Sequence, residues 1–351
     1  MNRNVSSLLD VLRYFAALLV VFHHLEHIYV KSWVSALASF GHDAVTFFFL
    51  LSGFVIAHTT KLKDFDVRDY AVARLSRIYS VVLPALALTA FLYVLGNWLG
   101  LRGYSIGLAE WFAILPVSLF FLNNSFGWHA ELPSNAAYWS VCFEVWYYII
   151  FACAFYIRGL KRIFCLGVVV CMAGLGALAM FPIWLLGYWF YRLHARLKIS
   201  QISAALLLIG AVSGYLYVRW LNLDDKFFDA YSDWFGGADH LNGLLGFGKR
   251  FLADYLIAIL MLMMLIGIFS IAVQCEKFPE KIRRIIQLCA GGSFSMYLFH
   301  MPILAFISSF SRCSVLVLVL TLFSCHFLSR WTEQNKRPYA RIFRALLSSA
   351  K

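Results

Sequence analysis

The sequence predicts an all-α, polytopic integral membrane protein with about ten transmembrane helices, and three observations carry that expectation. Of the 351 residues, 62% are hydrophobic and 14% are charged, with a mean hydropathy of +0.75. Soluble domains carry about 25% charged residues, so this chain lacks the polar surface to face water on every side, and lipid must solvate much of it. The apolar residues gather into runs close to the ~20 that a helix needs to cross the hydrocarbon core. Lys and Arg alternate in density between successive loops, as expected of a multi-pass chain.

In chain order the runs lie near 7–30, 43–60, 79–99, 139–157 and 163–181. A short one follows near 182–191, then 201–218, 251–274, 287–310 and 314–330. Pro182 marks the break before the sixth, in a stretch that reads equally as one kinked segment. A further apolar stretch, 105–122, contains Glu110 and Pro116 and reads as re-entrant or interfacial. The first run is too long, and too rich in His and Arg, for a cleavable signal peptide. With seven prolines and no low-complexity tract or short repeat, one membrane domain over 1–351 is expected.

Orientation follows from the basic residues. With the N-terminus in the cytoplasm, cytoplasmic segments hold all but seven of the 30 Lys and Arg. They include Lys63, Arg74, Arg77, Lys198, Lys277 and a basic tail over 332–351 ending in Lys351. The exceptions are Lys31, Arg102, Arg219, Lys226, Lys249, Arg250 and Arg312. Both termini are therefore expected in the cytoplasm. The net charge of +12 expresses topology and headgroup attraction rather than nucleic-acid binding. Cysteines at 142, 153, 165, 171, 275, 289, 313 and 325 form no C-x-x-C pair and read as mostly buried free thiols.

Function must come from polar groups that a bilayer makes costly. The first span offers Arg13 and the pair His23–His24. At about 100° per residue His24 returns to within about 20° of the Arg13 stripe, about 16 Å further along the axis, while His23 points about 80° away. The plain alternative is a snorkelling Arg13 and a His24 bonded to a carbonyl. Arg74 and Arg77, with Tyr70 and Tyr79 around them, share a face at the membrane mouth suited to a phosphate; basic residues there are also ordinary topology signals. Ser140, Glu144 and Tyr147 or Tyr148 line one face of the fourth span, where a carboxylate needs a partner, a histidine or a substrate hydroxyl. Ser293, Tyr297 and His300 share a stripe of the ninth span, and His300 taken alone reads as a satisfied core histidine.

In combination these elements resemble the acyltransferase family 3 membrane proteins, which O-acylate bacterial surface polysaccharides, peptidoglycan and related glycans. The family's Arg and His with ten residues between them match Arg13 and His24. Its F-F-x-L-S-G-F element matches residues 48–54, including Ser52, and its R-x-x-R-I-Y element matches Arg74, Arg77 and Tyr79. Trp139, Ser140, Glu144 and Tyr147 match W-S-x-x-x-E-x-x-Y, and SFSMYLFHMPI around His300 and Pro302 matches the last element loosely. The elements occur in family order from 13 to 302. Thr46 or a displaced Asp43 stands where the family often has an Asp before LSG, and Phe294 stands where Tyr is usual.

The resemblance implies an enzyme of the bacterial cytoplasmic membrane that moves an acyl group, acetyl first among them, from cytoplasmic acyl-CoA to a hydroxyl of a surface or lipid-linked glycan. Arg13, Arg74, Arg77 and Tyr79 would hold the donor, with no permanently bound cofactor and no metal. His24 would act as general base at a depth shared with Glu144, which would orient it or stabilise its cation; a transient acyl-histidine is the alternative. Ser52, Trp139, Ser140, Tyr147, Ser293, Tyr297 and His300 would line the channel or bind substrate. Two rivals are a transporter or flippase, for which an inverted repeat would be expected, and a heme or metal protein built on His23, His24, His27 and His300.

Overall fold

A computed structural model describes residues 3–30, 33–62, 66–105, 107–194, 196–197, 199–274 and 278–348. Lys31, Lys63, Lys198, Lys277, Lys351 and Cys275 lie outside the described residues. The described elements are all helical: Arg3–Ile28 (α1), Ser35–Ala38 (α2), Gly41–Leu62 (α3), Val67–Trp98 (α4), Leu108–Leu119 (α5), Trp139–Tyr156 (α6), Gly159–Ala173 (α7) and Leu175–His194 (α8). Then come Gln201–Trp220 (α9), Leu223–Ser232 (α10), Ala238–Leu245 (α11), Phe251–Gln274 (α12), Glu280–Ala290 (α13), Ser293–Ser308 (α14), Ser314–Trp331 (α15) and Arg337–Leu346 (α16). Lipid offers no partner for a bare amide, so segments that bond internally are the ones able to cross.

Seven of these helices are individually long and apolar enough to cross a membrane, and the bent pairs α7–α8 and α13–α14 make nine if each pair is one span. Contacts resolve α7 and α8 into two passes. Tyr156, ending α6, lies beside Tyr70 at the start of α4, and His194, ending α8, lies against Phe54 in the second half of α3. Midway between them, Gly174 and Gly176 abut the carbonyls of Asn124 and Leu245 on the opposite face. The chain thus leaves one end of the bundle along α7 and returns to it along α8.

Both described ends lie on one face. Asn4 donates to the Ala272 carbonyl at the end of α12 (3.1 Å), and Arg68 donates to the Arg344 carbonyl of α16 (3.0 Å). We call this the basic face. The amphipathic α13, with Ile282, Ile285 and Leu288 exposed between its charges, and α16 both begin and end there.

Two boundaries next to the site differ from the sequence expectation. The break between the fifth and sixth passes falls at Gly174, not Pro182; the chain bends 116° there, and Gly174 adopts φ +82, open to glycine at little cost. Pro182 lies inside α8, where neighbouring helices accommodate it. The ninth span begins at Ser293, because residues before Gly291 belong to α13, which is bent 43° from α14. The stretch 105–122 contains α5, which descends from the far face: Trp111 packs on Tyr93 (5.4 Å), whereas the Leu119 carbonyl accepts from Tyr79 (3.1 Å). Tyr79 and Tyr93 are about 21 Å apart along α4. By Asn135, which donates to the Leu298 carbonyl (3.0 Å), the chain has turned back, so α5 is re-entrant. Pro302 lacks the N–H that would otherwise occupy that same carbonyl.

Close backbone approach sets the centre of the bundle. A Cβ at Gly53 would collide with the Trp184 carbonyl of α8, and one at Gly187 with the Leu50 carbonyl of α3. Small residues are what let transmembrane helices pack at this range. At the far face, the buried Asp43, Asp224 and Asp254 clasp α3, α9, α10 and α12. Asp43 accepts from Tyr215 (2.7 Å), Asp224 pairs with both Arg219 and Arg250, and Asp254 pairs with His42 (3.1 Å). Arg219 and Arg250 are therefore structural ion-pair partners. Of the described cysteines, Cys142, Cys153 and Cys325 are buried, Cys165 and Cys289 half-buried, and Cys171 and Cys313 exposed; all are free thiols.

Candidate active site

Two cavities meet at one pair of arginines. On the basic face, a cavity of about 250 Å³ is lined by Asp10, Arg13, Arg77, Glu333 and Lys336, with α13 contributing Gln287 and Ala290. Three cations there face two carboxylates. Deeper in the bundle, a narrow pocket of about 60 Å³ is lined by the same Arg13 and Arg77, with Ser52, Ser140, Glu144, Tyr148, Ser293 and Tyr297. Arg13 also pairs with Asp10 one turn away (3.7 Å). Both guanidiniums are within electrostatic reach of Glu144 on the pocket side and Glu333 on the cavity side.

A directed hydrogen-bond chain ends at Glu144. Trp184 Nε1 donates to Ser52 Oγ (3.1 Å), Ser52 donates to the Tyr148 hydroxyl (3.2 Å), and Tyr148 donates to a Glu144 carboxylate oxygen. Each donor feeds the next acceptor, so the chain polarises toward the charge. At the other wall, Ser140 Oγ and Tyr297 Oη are 2.6 Å apart, and Tyr297 donates to the Ala137 carbonyl (3.0 Å). The buried Ser293 hydroxyl has no partner among the described residues and lines the pocket.

Beyond Tyr297 lies a histidine group. His300 sits one turn further along α14, 6.1 Å from the Tyr297 ring, and the His24 ring lies 5.2 Å from it. His23 and His27 complete the group at 5.2 and 6.1 Å from His24. The interior thus has a charged end at Arg13 and Arg77 and an imidazole end at His24 and His300.

A family model described as an acyltransferase domain, Acyl_transf_3, matches residues 7–330. The chain belongs to acyltransferase family 3. No curated protein and no solved structure matches it. As a multi-pass membrane acyltransferase by family, it carries the pocket just described inside the matched span, except for Glu333 and Lys336, which lie just past it.

The geometry corrects several sequence expectations for this family 3 member. Glu144 does not share the depth of His24. It faces the Arg13 end of the pocket, and α1 carries His24 about 16 Å away along its axis. Tyr147 does not line the pocket: its hydroxyl donates to the Ala177 carbonyl of α8 (2.9 Å), and Tyr148 takes its place. Tyr79 anchors the foot of α5, with its ring against Phe121 and Phe343. Trp139 stacks on Phe247 at the far face (5.0 Å). Arg74 lies against the rings of Tyr70 and Tyr148, 5.8 and 5.6 Å from their centroids, and Arg13 rather than Arg74 lines both cavities with Arg77.

Two site residues escaped the sequence reading. Glu333 and Lys336 fall in the stretch read as a basic tail, yet the chain folds back and Glu333 Oε2 accepts from the Ser295 amide (2.9 Å). A carboxylate there caps the first turn of α14. An acid standing alone among basic residues was the available signal. The described residues contain no group of three or more His, Cys, Asp or Glu arranged to hold a metal, and His23 is occupied by the Ala38 carbonyl (3.0 Å).

Proposed function

We propose that this protein is an O-acyltransferase of the bacterial cytoplasmic membrane that moves an acyl group, acetyl first among them, from cytoplasmic acyl-CoA to a hydroxyl of a surface or lipid-linked glycan. The observation that carries this reading is the sharing of Arg13 and Arg77 by the basic-face cavity and the interior pocket. A donor with a polyphosphate at one end and a thioester at the other suits such a passage. The basic face is the cytoplasmic one, by its Lys and Arg. Phosphate oxygens bind Arg13, Arg77 and Lys336 as charge-assisted acceptors. The amides of the pantetheine arm meet Ser52, Ser293 and the Ser140–Tyr297 pair, while Glu144 balances the arginine charge when the site is empty.

His24 takes the proton of the acceptor hydroxyl as its oxygen attacks the thioester carbonyl. The tetrahedral adduct collapses with loss of the CoA thiolate, which receives that proton, leaving an ester and free CoA thiol. The test is transfer of radiolabelled acetyl from acetyl-CoA to glycan in membranes, with mass spectrometry of surface glycans in cells with and without the gene. Identical glycans in both, and no transfer in vitro, would remove the reading in favour of transport.

A further inference from the structure

His300 is a poor choice for a residue that only fills space. Its side chain is fully buried, and Nδ1 lies 3.1 Å from the Met296 carbonyl one turn back. A carbonyl can only accept, so Nδ1 carries the proton and Nε2 is a bare lone pair. That nitrogen has no partner among the described residues. An unmet buried acceptor carries an uncompensated desolvation cost, which leucine or phenylalanine would avoid. The ring 5.2 Å away, tilted by 35°, is His24. At that centroid separation two ring nitrogens turned toward each other come within the ~3 Å of a hydrogen bond, and such bonds often tighten only when substrate is bound.

We propose that His300 is the positioning residue for His24: its Nε2 accepts a ring N–H of His24 and thereby fixes the tautomer of the catalytic imidazole. A neutral imidazole has one N–H, so committing it to His300 leaves the other His24 nitrogen bare and able to accept a proton. The same contact stabilises the imidazolium that forms when the other nitrogen takes the proton. The role assigned from sequence to Glu144 passes to His300, since Glu144 faces the arginines. This inference deepens the acyltransferase reading and rests on it for the catalytic part, whereas the contact can be read without any turnover.

The contact is read by nitrogen-15 NMR of histidine-labelled protein in nanodiscs, with the His24 signals assigned by their loss in His24→Ala. Wild-type protein should show His24 in one hydrogen-bonded tautomer, His300→Phe a tautomer mixture, and His300→Gln, whose amide oxygen reaches the Nε2 position, one tautomer again. Acyl transfer should follow the same order. His300→Phe should lower kcat by about 10²-fold with the KM for acyl-CoA within about threefold, and His300→Gln should recover at least tenfold of that loss. His300→Asn, which supplies only the Nδ1 position, should not recover it. Unchanged His24 signals in folded His300→Phe overturn the contact, whether or not acyl transfer is ever detected. Equal turnover of the Gln and Asn variants, or kcat values that merely follow their melting temperatures, overturn the positioning role.

Discussion

Arg13 of α1 and Arg77 of α4 stand together at the junction of the basic-face cavity and the interior pocket, each within electrostatic reach of the other. Two like charges at one point in a bundle repel unless acids or a ligand offset them. Glu144 and Glu333 do so from either side, which leaves the arginines available to an incoming anion rather than locked in a single ion pair.

For the donor end, Arg77→Ala should weaken acyl-CoA binding by about tenfold to a hundredfold, the worth of a charge-assisted bond. Arg77→Lys should recover part of it, since lysine keeps the charge and loses the planar fork. Arg74→Ala should leave the dissociation constant within about threefold and lower thermal stability, because Arg74 lies on Tyr70 and Tyr148. Isothermal titration with a non-hydrolysable acyl-CoA separates the two; equal losses at both positions would contradict the assignment.

Adjacent histidines give an internal control. His24→Ala should abolish acyl transfer, by about 10²–10⁴-fold, with acyl-CoA binding preserved. His23→Ala removes a bond to the Ala38 carbonyl and should cost stability, while turnover per folded molecule stays substantial. Product acylation normalised to folded protein decides this, and a dead His23→Ala beside an active His24→Ala would reverse the roles.

Neighbouring tyrosines should also differ. Tyr148→Phe removes the donor to Glu144 and should reduce turnover in the same direction as Glu144→Gln. Tyr147→Phe loses only the bond to the Ala177 carbonyl and should lower stability by about 1 kcal/mol with normal kcat. Steady-state kinetics with melting curves in detergent would show whether the order is inverted.

Helix packing makes a prediction independent of function. Gly53→Ala should destabilise the protein by about 1–3 kcal/mol or more, because the added Cβ meets backbone, not a movable side chain. Gly210→Ala, where nothing lies near the added Cβ, should be neutral. Thermal unfolding of the two variants side by side is the check.

Orientation is testable with reporter fusions. A reporter after Asp66 or after Leu346 should report the cytoplasm, and one within 223–245 the outside. The structure places Asp66 and Leu346 on one face through the Arg68–Arg344 bond, so opposite answers at those two sites would break the fold itself.

Residues alone determined the all-helical membrane class and most span centres, because a bilayer charges every buried polar group and every bare amide a cost visible in composition and run length. Along a single helix they also determined relative facing: Arg13 and His24 share a stripe of α1 whatever surrounds it. Which helices those stripes meet was decided only by tertiary structure. The pairing of Glu144 with the arginine end depends on how far α6 descends beside α1 and α4. The choice of Tyr148 over Tyr147 depends on α8 occupying the other side of α6, and the entry of Glu333 into the site depends on the chain folding back under α14. Periodicity fixes angles about one axis, whereas depth and partner are set by the close packing of several axes, and that packing turns on local features such as Gly53 and Gly187 that leave no trace in hydropathy.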